Sequence, residues 1–296
     1  RPLSHWSLPA VTRINPGQLP AIYTPNGQAP DETVEIDDPL MIEGIERVQR
    51  AIAIHRAVPG RLRGVVTVLG AVAMLAALTF WLPDALIRHA ARIAPPAQAR
   101  TIGLAVLADL EHSAGAVCRR RSGQQVLDWI APQLIGDQAL VQVVPAPLNG
   151  ARRLPGDLYV LGNDLLVTTP GPEASAGHLI AARLAVEDKQ ATLDALRHAG
   201  LMNSLRLMTL GTLSRDAMQG YGETLLSQSL PRPDLATLPP AFAERGLSTE
   251  PYARSIDPTG AAVLPLIEAD PIRQGTTPAR LLTDEQWLAL QQICAG

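Results

Sequence analysis

The sequence has little that would bind a nucleic acid. It contains 25 basic and 28 acidic residues, a net charge of −3, and only 3% aromatic residues. It has no broad basic region with interspersed aromatic side chains, which phosphates and stacked bases require. A nucleic-acid partner is therefore excluded. Lysine is almost absent too, with Lys189 the only one, and this bias is typical of GC-rich bacterial genomes.

Cysteine is equally scarce. The two cysteines, Cys118 and Cys294, lie too far apart in sequence to form a local zinc or redox motif. A glycine-rich phosphate-binding loop is missing as well. These absences exclude the common short motifs of redox and phosphoryl chemistry. By contrast, 47% of the 296 residues are hydrophobic, which is enough for one large core or two ordinary ones.

The most informative feature that is present is a long apolar run. Residues 64–83, GVVTVLGAVAMLAALTFWLP, contain no charged side chain. At about 1.5 Å per helical residue, the run matches a hydrocarbon layer roughly 30 Å thick. We predict a transmembrane helix and its extension over residues 61–94. A buried core helix is one alternative; a signal-peptide core is another, but more than sixty residues precede the run.

The flanking charges predict the orientation of this helix. Five arginines lie before the apolar run and three after it, namely Arg47, Arg50, Arg56, Arg61 and Arg63 against Arg88, Arg92 and Arg100. By the positive-inside rule, the N-terminus is cytoplasmic and the C-terminal domain periplasmic. We expect a single-pass protein of the bacterial inner membrane. In the oxidising periplasm Cys118 and Cys294 would form a disulfide, with two separate buried thiols as the alternative.

Residues 1–38 are rich in proline and show no helical period. Six prolines, Pro2, Pro9, Pro16, Pro20, Pro25 and Pro30, are spread along them. Such a segment has too little apolar surface to offset its ordering entropy. We therefore predict an extended arm that another protein orders. Because the sequence begins with Arg1 rather than methionine, we also expect further residues before it.

Residues 39–60 predict an amphipathic juxtamembrane helix. Asp38 is the expected N-cap and Pro39 the first helical residue. An apolar stripe follows at near-helical spacing, formed by Leu40, Ile45, Val48 and Ile52. The helix could lie on acidic lipid headgroups or pack on a protein partner, and the sequence favours neither.

Residues 97–296 predict an α+β domain, mostly helical with a small β-sheet. Helices are expected at about 97–116, within 124–134, from Pro172 to Gly200, and after Thr283, whose capping box includes Gln286. Two strand-like runs, at 139–147 and 157–167, are joined by a turn-rich connection. The proline-rich stretch at 229–246 is expected to be a surface strap that could bind a partner.

The order of these elements resembles the HExxH zinc metallopeptidases of the CAAX prenyl protease and HtpX type. The matching residues are Val143-Val144-Pro145, Asn149, Leu154-Pro155-Gly156, Leu158-Tyr159-Val160, Leu165-Leu166 and Glu173, so the resemblance covers about residues 140–184 well. It implies a metallopeptidase-like fold after the single transmembrane helix. It also implies that an edge strand borders the substrate groove, formed here by Leu158, Tyr159, Val160 and Leu161.

The resemblance does not extend to the zinc ligands. That chemistry needs two histidines one helical turn apart and a glutamate between them. Laid on the family pattern, the histidine positions read Ile180 and Leu184, the glutamate position reads Ala181, and the third ligand position falls near Gly220. None of these side chains can bind a cation. We therefore predict no metal, no cofactor and no peptidase activity.

Two other catalytic arrangements are weaker. In a shifted register His178 could be a ligand, but the residues three and four positions on are Ala181 and Ala182. Ser175, His178 and Asp164 could be drawn as a triad, but no nucleophile elbow or oxyanion hole accompanies them.

These observations lead to one hypothesis and two alternatives. The hypothesis is a non-catalytic, membrane-anchored peptidase-like protein that binds or stabilises a larger membrane protein complex. The first alternative is a divergent zinc-dependent membrane peptidase whose ligands lie elsewhere. The second is a periplasmic assembly factor or chaperone that binds extended segments by strand addition at Leu158–Leu161.

Overall fold

A computed structural model describes residues 5–25, 32–55 and 61–295. The chain divides into two compact units, Arg1–Leu75 and Ala76–Gly296. Parts of the predicted arm and of the juxtamembrane helix, including Pro2, Pro30 and Arg56, lie outside the described residues.

The first unit contains a small antiparallel sheet. Its strands are β1 (Thr12–Arg13), β2 (Ala21–Thr24) and β3 (Val34–Ile36), in the order β1-β2-β3. The prediction of an extended arm is therefore wrong for these residues. Pro16, Pro20 and Pro25 fall between strands rather than within them, so these prolines remove no ladder hydrogen bond. The alternating pattern of β2 buries Ala21 and Tyr23.

Helix α1 (Pro39–His55) covers this sheet. The carboxylate of Asp38 accepts a hydrogen bond from the Leu40 amide at 2.9 Å, which confirms Asp38 as the N-cap. Ile42 packs with the sheet, and an ion pair between Arg13 and Glu46 at 3.0 Å joins sheet and helix. The predicted stripe is only partly right: Leu40 is 79% exposed, and the buried face starts at Ile42.

The apolar run forms one continuous helix. It consists of α2 (Arg61–Ala76), a π-helical segment (Ala77–Trp81) and α3 (Leu82–Ile93). Gly64–Ile93 is long and apolar enough to cross a membrane, and the most apolar part of it is not buried against protein. The helix ends before Pro95 and Pro96, as predicted, because proline cannot continue it.

The second unit is α+β, as predicted. Its remaining helices are α4 (Pro96–Ala114), α5 (Arg121–Ile135), α6 (Asn163–Thr168), α7 (Pro172–Ala185), α8 (Asp188–Leu210), α9 (Tyr221–Ser227), α10 (Leu238–Ala243), α11 (Glu250–Ile256), α12 (Leu264–Glu268) and α13 (Asp284–Gln291). They surround a three-stranded sheet of β4 (Leu140–Val144), β5 (Ala151–Leu154) and β6 (Leu158–Gly162).

The sheet has the order β4-β6-β5, with β4 parallel and β5 antiparallel to β6. The strand-like run with Leu158, Tyr159, Val160 and Leu161 was predicted to be the edge, and this is wrong: it is the central strand. The reason is that the connection predicted to be a turn contains β5, which pairs outside β6. Strand β6 pairs with β4 on one side and with β5 on the other, so no further strand can add to it.

Helices cover both faces of the sheet. Along β6, Tyr159 and Leu161 pack in the apolar cluster that includes α5 and α7. Leu158 and Val160 pack in the cluster that includes α4, α8 and α9. This alternation follows from the two-residue period of a strand. The end of the second strand-like run is not strand but α6.

The predicted long helix from Pro172 to Gly200 is divided. Val186 and Glu187 have extended backbones and separate α7 from α8. Gly200 has a φ of 82° and bends α8, instead of ending it as predicted. A positive φ of this kind favours glycine, which explains the residue at the bend.

Cys118 and Cys294 form a disulfide with 4.8 Å between their Cα atoms, which confirms the predicted pairing. The bond ties the C-terminus to the segment just before α5, and α13 packs on α5. At this contact Gly123 lies against Ile293, where a Cβ atom would come within 2.8 Å. The predicted capping box of Thr283 and Gln286 is present at the start of α13.

Candidate functional site

Strand β5 forms an edge of the sheet, and its backbone has a free side. Gly162 donates a hydrogen bond to the Gly150 carbonyl at 3.2 Å, so Gly150, Arg152 and Leu154 direct their backbone groups toward β6. The N–H and C=O groups of Ala151 and Arg153 then point away from the sheet. Within the part of the chain that the structure describes, these outward groups have no hydrogen-bond partner.

A cleft of about 380 Å³ lies along this edge. This volume falls within the roughly 300–1,000 Å³ typical of ligand sites. Strand β5 and Pro155 line one side, and Gln228 and Pro231 also border the cleft. The other walls come from α7, α8 and α9, through Ala182, Ala185, Ala191, Arg197, Tyr221 and Leu225. Three of these six side chains are alanine, which leaves space beside the strand.

Helix α7 presents different residues to this cleft than the family alignment expects. Ala182 and Ala185 line the cleft, whereas Ile180 and Ala181 are buried in the apolar core and Leu184 is 40% exposed. The expected ligand positions are therefore not brought together at the cleft. The family alignment gives Ile180 and Leu184 as the histidine positions. The residues of α7 beside β5 are instead His178 and Ala182, each two positions earlier in the sequence.

Gly220, the expected third-ligand position, also lies outside the cleft. It precedes α9 with a φ of 77°, and its amide donates to the Asp109 carboxylate at 3.1 Å. Among the described residues, no group of three histidine, cysteine, aspartate or glutamate side chains could hold a metal ion.

His178 lies between α11 and the start of β5. Its Nε2 is 2.9 Å from the Ser255 hydroxyl, which itself donates to the Tyr252 carbonyl at 2.6 Å. Because the hydroxyl's single proton goes to the Tyr252 carbonyl, Nε2 of His178 carries the imidazole proton and donates to Ser255. Nδ1, which faces Gly150, is then unprotonated. Burial lowers the pKa of His178 to about 4, so the imidazole is neutral at pH 7.

The contact between His178 and Ser255 spans 77 residues, so sequence spacing gave no sign of it. The edge of the Tyr252 ring also packs against the imidazole, with 4.9 Å between ring centroids. A neutral histidine that donates to a serine cannot take that serine's proton, so the pair is structural in this arrangement.

The triad drawn from the sequence does not form. Asp164 accepts hydrogen bonds from the amides of Leu148 and Asn149 at 3.1 and 2.9 Å and so fixes the turn before β5. The Ser175 hydroxyl is buried and has no hydrogen-bond partner among the described residues. His178 bonds to Ser255 instead.

Comparison with known proteins adds no relative: no family model and no curated protein matches the chain. The resemblance to the HExxH peptidases therefore stays a prediction, and a function has to be argued from the cleft itself.

Proposed function

We propose that this protein is a membrane-anchored, peptidase-like protein without peptidase activity that binds an extended segment of a membrane protein complex along β5. The observation that carries the proposal is the free backbone edge of Ala151 and Arg153 inside a cleft. An extended peptide can add a strand at such an edge and gain main-chain hydrogen bonds. The strand-addition site expected at Leu158–Leu161 is thus moved to the neighbouring strand.

The lack of paired ligands on α7 supports the non-catalytic part of the proposal. A zinc peptidase needs two imidazoles on one helical face and a carboxylate base. On the face of α7 beside β5, His178 is followed one turn later by Ala182, which has no donor atom. The position between them that the glutamate would take is Leu179, which is buried in the apolar core.

Membrane anchoring is proposed for the helix at Gly64–Ile93 on its length and composition. The excess of arginine before the helix supports a cytoplasmic N-terminus. The disulfide between Cys118 and Cys294 suits an oxidising compartment on the other side, which in a bacterium is the periplasm. The lipid bilayer and a neighbouring membrane complex are then the partners.

The test uses the full chain purified in detergent. Capped hexapeptides of alternating valine and threonine are added, and amide hydrogen exchange is followed at Ala151 and Arg153. We expect both amides to be protected by the peptide and not by its N-methylated analogue, which cannot complete the ladder. Unchanged exchange at both residues with every peptide would rule out binding along β5.

Metal content and proteolysis are measured on the same preparation. We expect far less than one zinc per chain and no cleavage of the bound peptides. Stoichiometric zinc together with peptide cleavage would instead establish a divergent peptidase and refute the non-catalytic proposal.

A further inference from the structure

Arg152 is the most buried charged side chain of the cleft. It is 8% exposed and lies on the face of the sheet toward α8 and α9. Its Nη2 donates to the Gln228 carbonyl at 2.9 Å. A guanidinium has five N–H donors, and within the described residues this is the only hydrogen bond that the Arg152 side chain makes to protein.

The other two arginines of the cleft differ from it. Arg153 pairs with the Asp157 carboxylate and donates to the Val186 carbonyl at 2.8 Å. Arg197 pairs with Asp84 at 3.3 Å and with Asp194 at 3.7 Å. Arg152 has no carboxylate partner in the described part of the chain. A charge that is buried without a counter-ion is costly, and a ligand that supplies one relieves that cost.

Tyr221 lines the same cleft beside this arginine. Burial raises the pKa of its hydroxyl to about 12, so the group is a neutral donor at pH 7. Burial also lowers the pKa of Arg152, although a guanidinium stays charged in proteins. A cation and a neutral hydroxyl donor together suit a carboxylate, which accepts two or more hydrogen bonds. The one carboxylate in the cleft wall, Asp194, is already paired with Arg197.

We infer that the segment bound along β5 carries a carboxylate and that Arg152 is its receptor. This inference rests on the proposed function, because β5 must align the segment through Ala151 and Arg153. The carboxylate could be an aspartate or glutamate side chain or the C-terminus of the segment. Both present the same planar pair of oxygens to the guanidinium.

The experiment compares three probes on the full-length protein in detergent. The first is the capped valine–threonine hexapeptide with one glutamate, the second has glutamine at that position, and the third lacks glutamate but has a free C-terminus. Affinities are measured by fluorescence anisotropy. Hydrogen bonds to charged groups are stronger than those between neutral groups. We therefore expect the glutamate probe or the free-C-terminus probe to bind roughly tenfold or more tightly than the glutamine probe.

Variants assign this preference to one side chain. Arg152→Met should bring the affinity ratio of the acidic and glutamine probes close to one. Arg206→Met, which removes an exposed arginine of α8 that does not line the cleft, should leave the ratio unchanged and is the matched control. Arg152→Lys keeps the charge without the planar fork and should keep part of the preference. If Arg152→Met does not fold, Arg152→Lys still tests the role of the guanidinium.

The possible failures are distinguishable. Equal binding of the acidic and glutamine probes, with Ala151 and Arg153 still protected from exchange, would overturn the carboxylate receptor but leave binding along β5 intact. A preference that survives in Arg152→Met would also overturn it. No binding of any probe and no protection would refute the strand-addition proposal as well.

Discussion

The two edges of the central sheet differ in what covers them. Along β4, the Val143 carbonyl accepts a hydrogen bond from the Cys118 amide at 2.8 Å, and the Val141 carbonyl accepts one from the Gln124 side chain at 3.2 Å. Along β5, the outward groups of Ala151 and Arg153 have no partner among the described residues. An unpaired edge can template pairing with another chain, and here the chain covers one edge of the sheet and leaves the other open.

The largest expected effect concerns the covered edge. Replacing both Cys118 and Cys294 with alanine releases the segment that pairs with β4. The disulfide joins residues 176 positions apart, and the chain-entropy estimate for a loop this long is about 5 kcal/mol. We expect the free energy of unfolding in urea to fall by about that amount. The reduced wild-type protein is the control and should be as unstable as the double variant. If the oxidised wild-type protein were no more stable than these two, the prediction would be contradicted.

The next effect concerns the support of the open edge. His178 faces the start of β5, and its pKa of about 4 lies below the value of roughly 6.5 expected when unfolded. Between these pH values the unfolded chain binds a proton that the folded chain does not, so stability falls as the pH drops from 6.5 to 4. The shift corresponds to a loss of about 3 kcal/mol.

Urea unfolding at a series of pH values measures this dependence. His178→Phe should flatten the curve in that range, and His112→Phe, a change at an exposed histidine, should not. An unchanged curve in His178→Phe would show that another group carries the dependence.

A smaller effect is expected on ligand binding at the open edge. Ala151→Pro removes an outward N–H that the pairing with β6 does not use, and the preceding residue is Gly150, which tolerates a following proline. Stability should change little, whereas peptide affinity should fall about tenfold through loss of one main-chain hydrogen bond in a cleft. Ala151→Gly keeps the N–H and should bind as the wild type does. Equal affinities of the two variants would argue against strand addition.

The smallest effect is expected at the side-chain contact that covers β4. Gln124→Ala removes the donor to the Val141 carbonyl and should lower the free energy of unfolding by about 1 kcal/mol. It should not alter peptide affinity, because β5 lies on the other side of β6. Altered peptide binding in this variant would mean that the two edges are not independent.

Local signals made part of this fold predictable. The caps at Asp38 and Thr283 and the end of the apolar helix before Pro95 follow from chemistry that acts over a few positions. The disulfide could be predicted because the sequence has two cysteines and both lie on the same side of the apolar run. The α+β class followed from the alternation of apolar periods. These features need no knowledge of which distant segments meet.

The parts that were mispredicted depend on long-range pairing. Residues 149–154 contain glycine and two arginines and resemble a turn, but Ala151–Leu154 form β5 because they pair with β6. The contact of His178 with Ser255 and the register of α7 against β5 likewise depend on packing between separate helices. In the first unit, Ala21 and Tyr23 form a buried face only once three strands have paired.

Helix α8 contacts both the cleft and α3. Its residues Asp194 and Arg197 line the cleft, and Arg197 also forms an ion pair with Asp84 in α3, against which α8 packs. If α3 continues out of the bilayer as proposed, the cleft stands at a set height over the lipid surface. The protein would then select its target by position as well as by sequence, because only chains that emerge near the anchor come within reach.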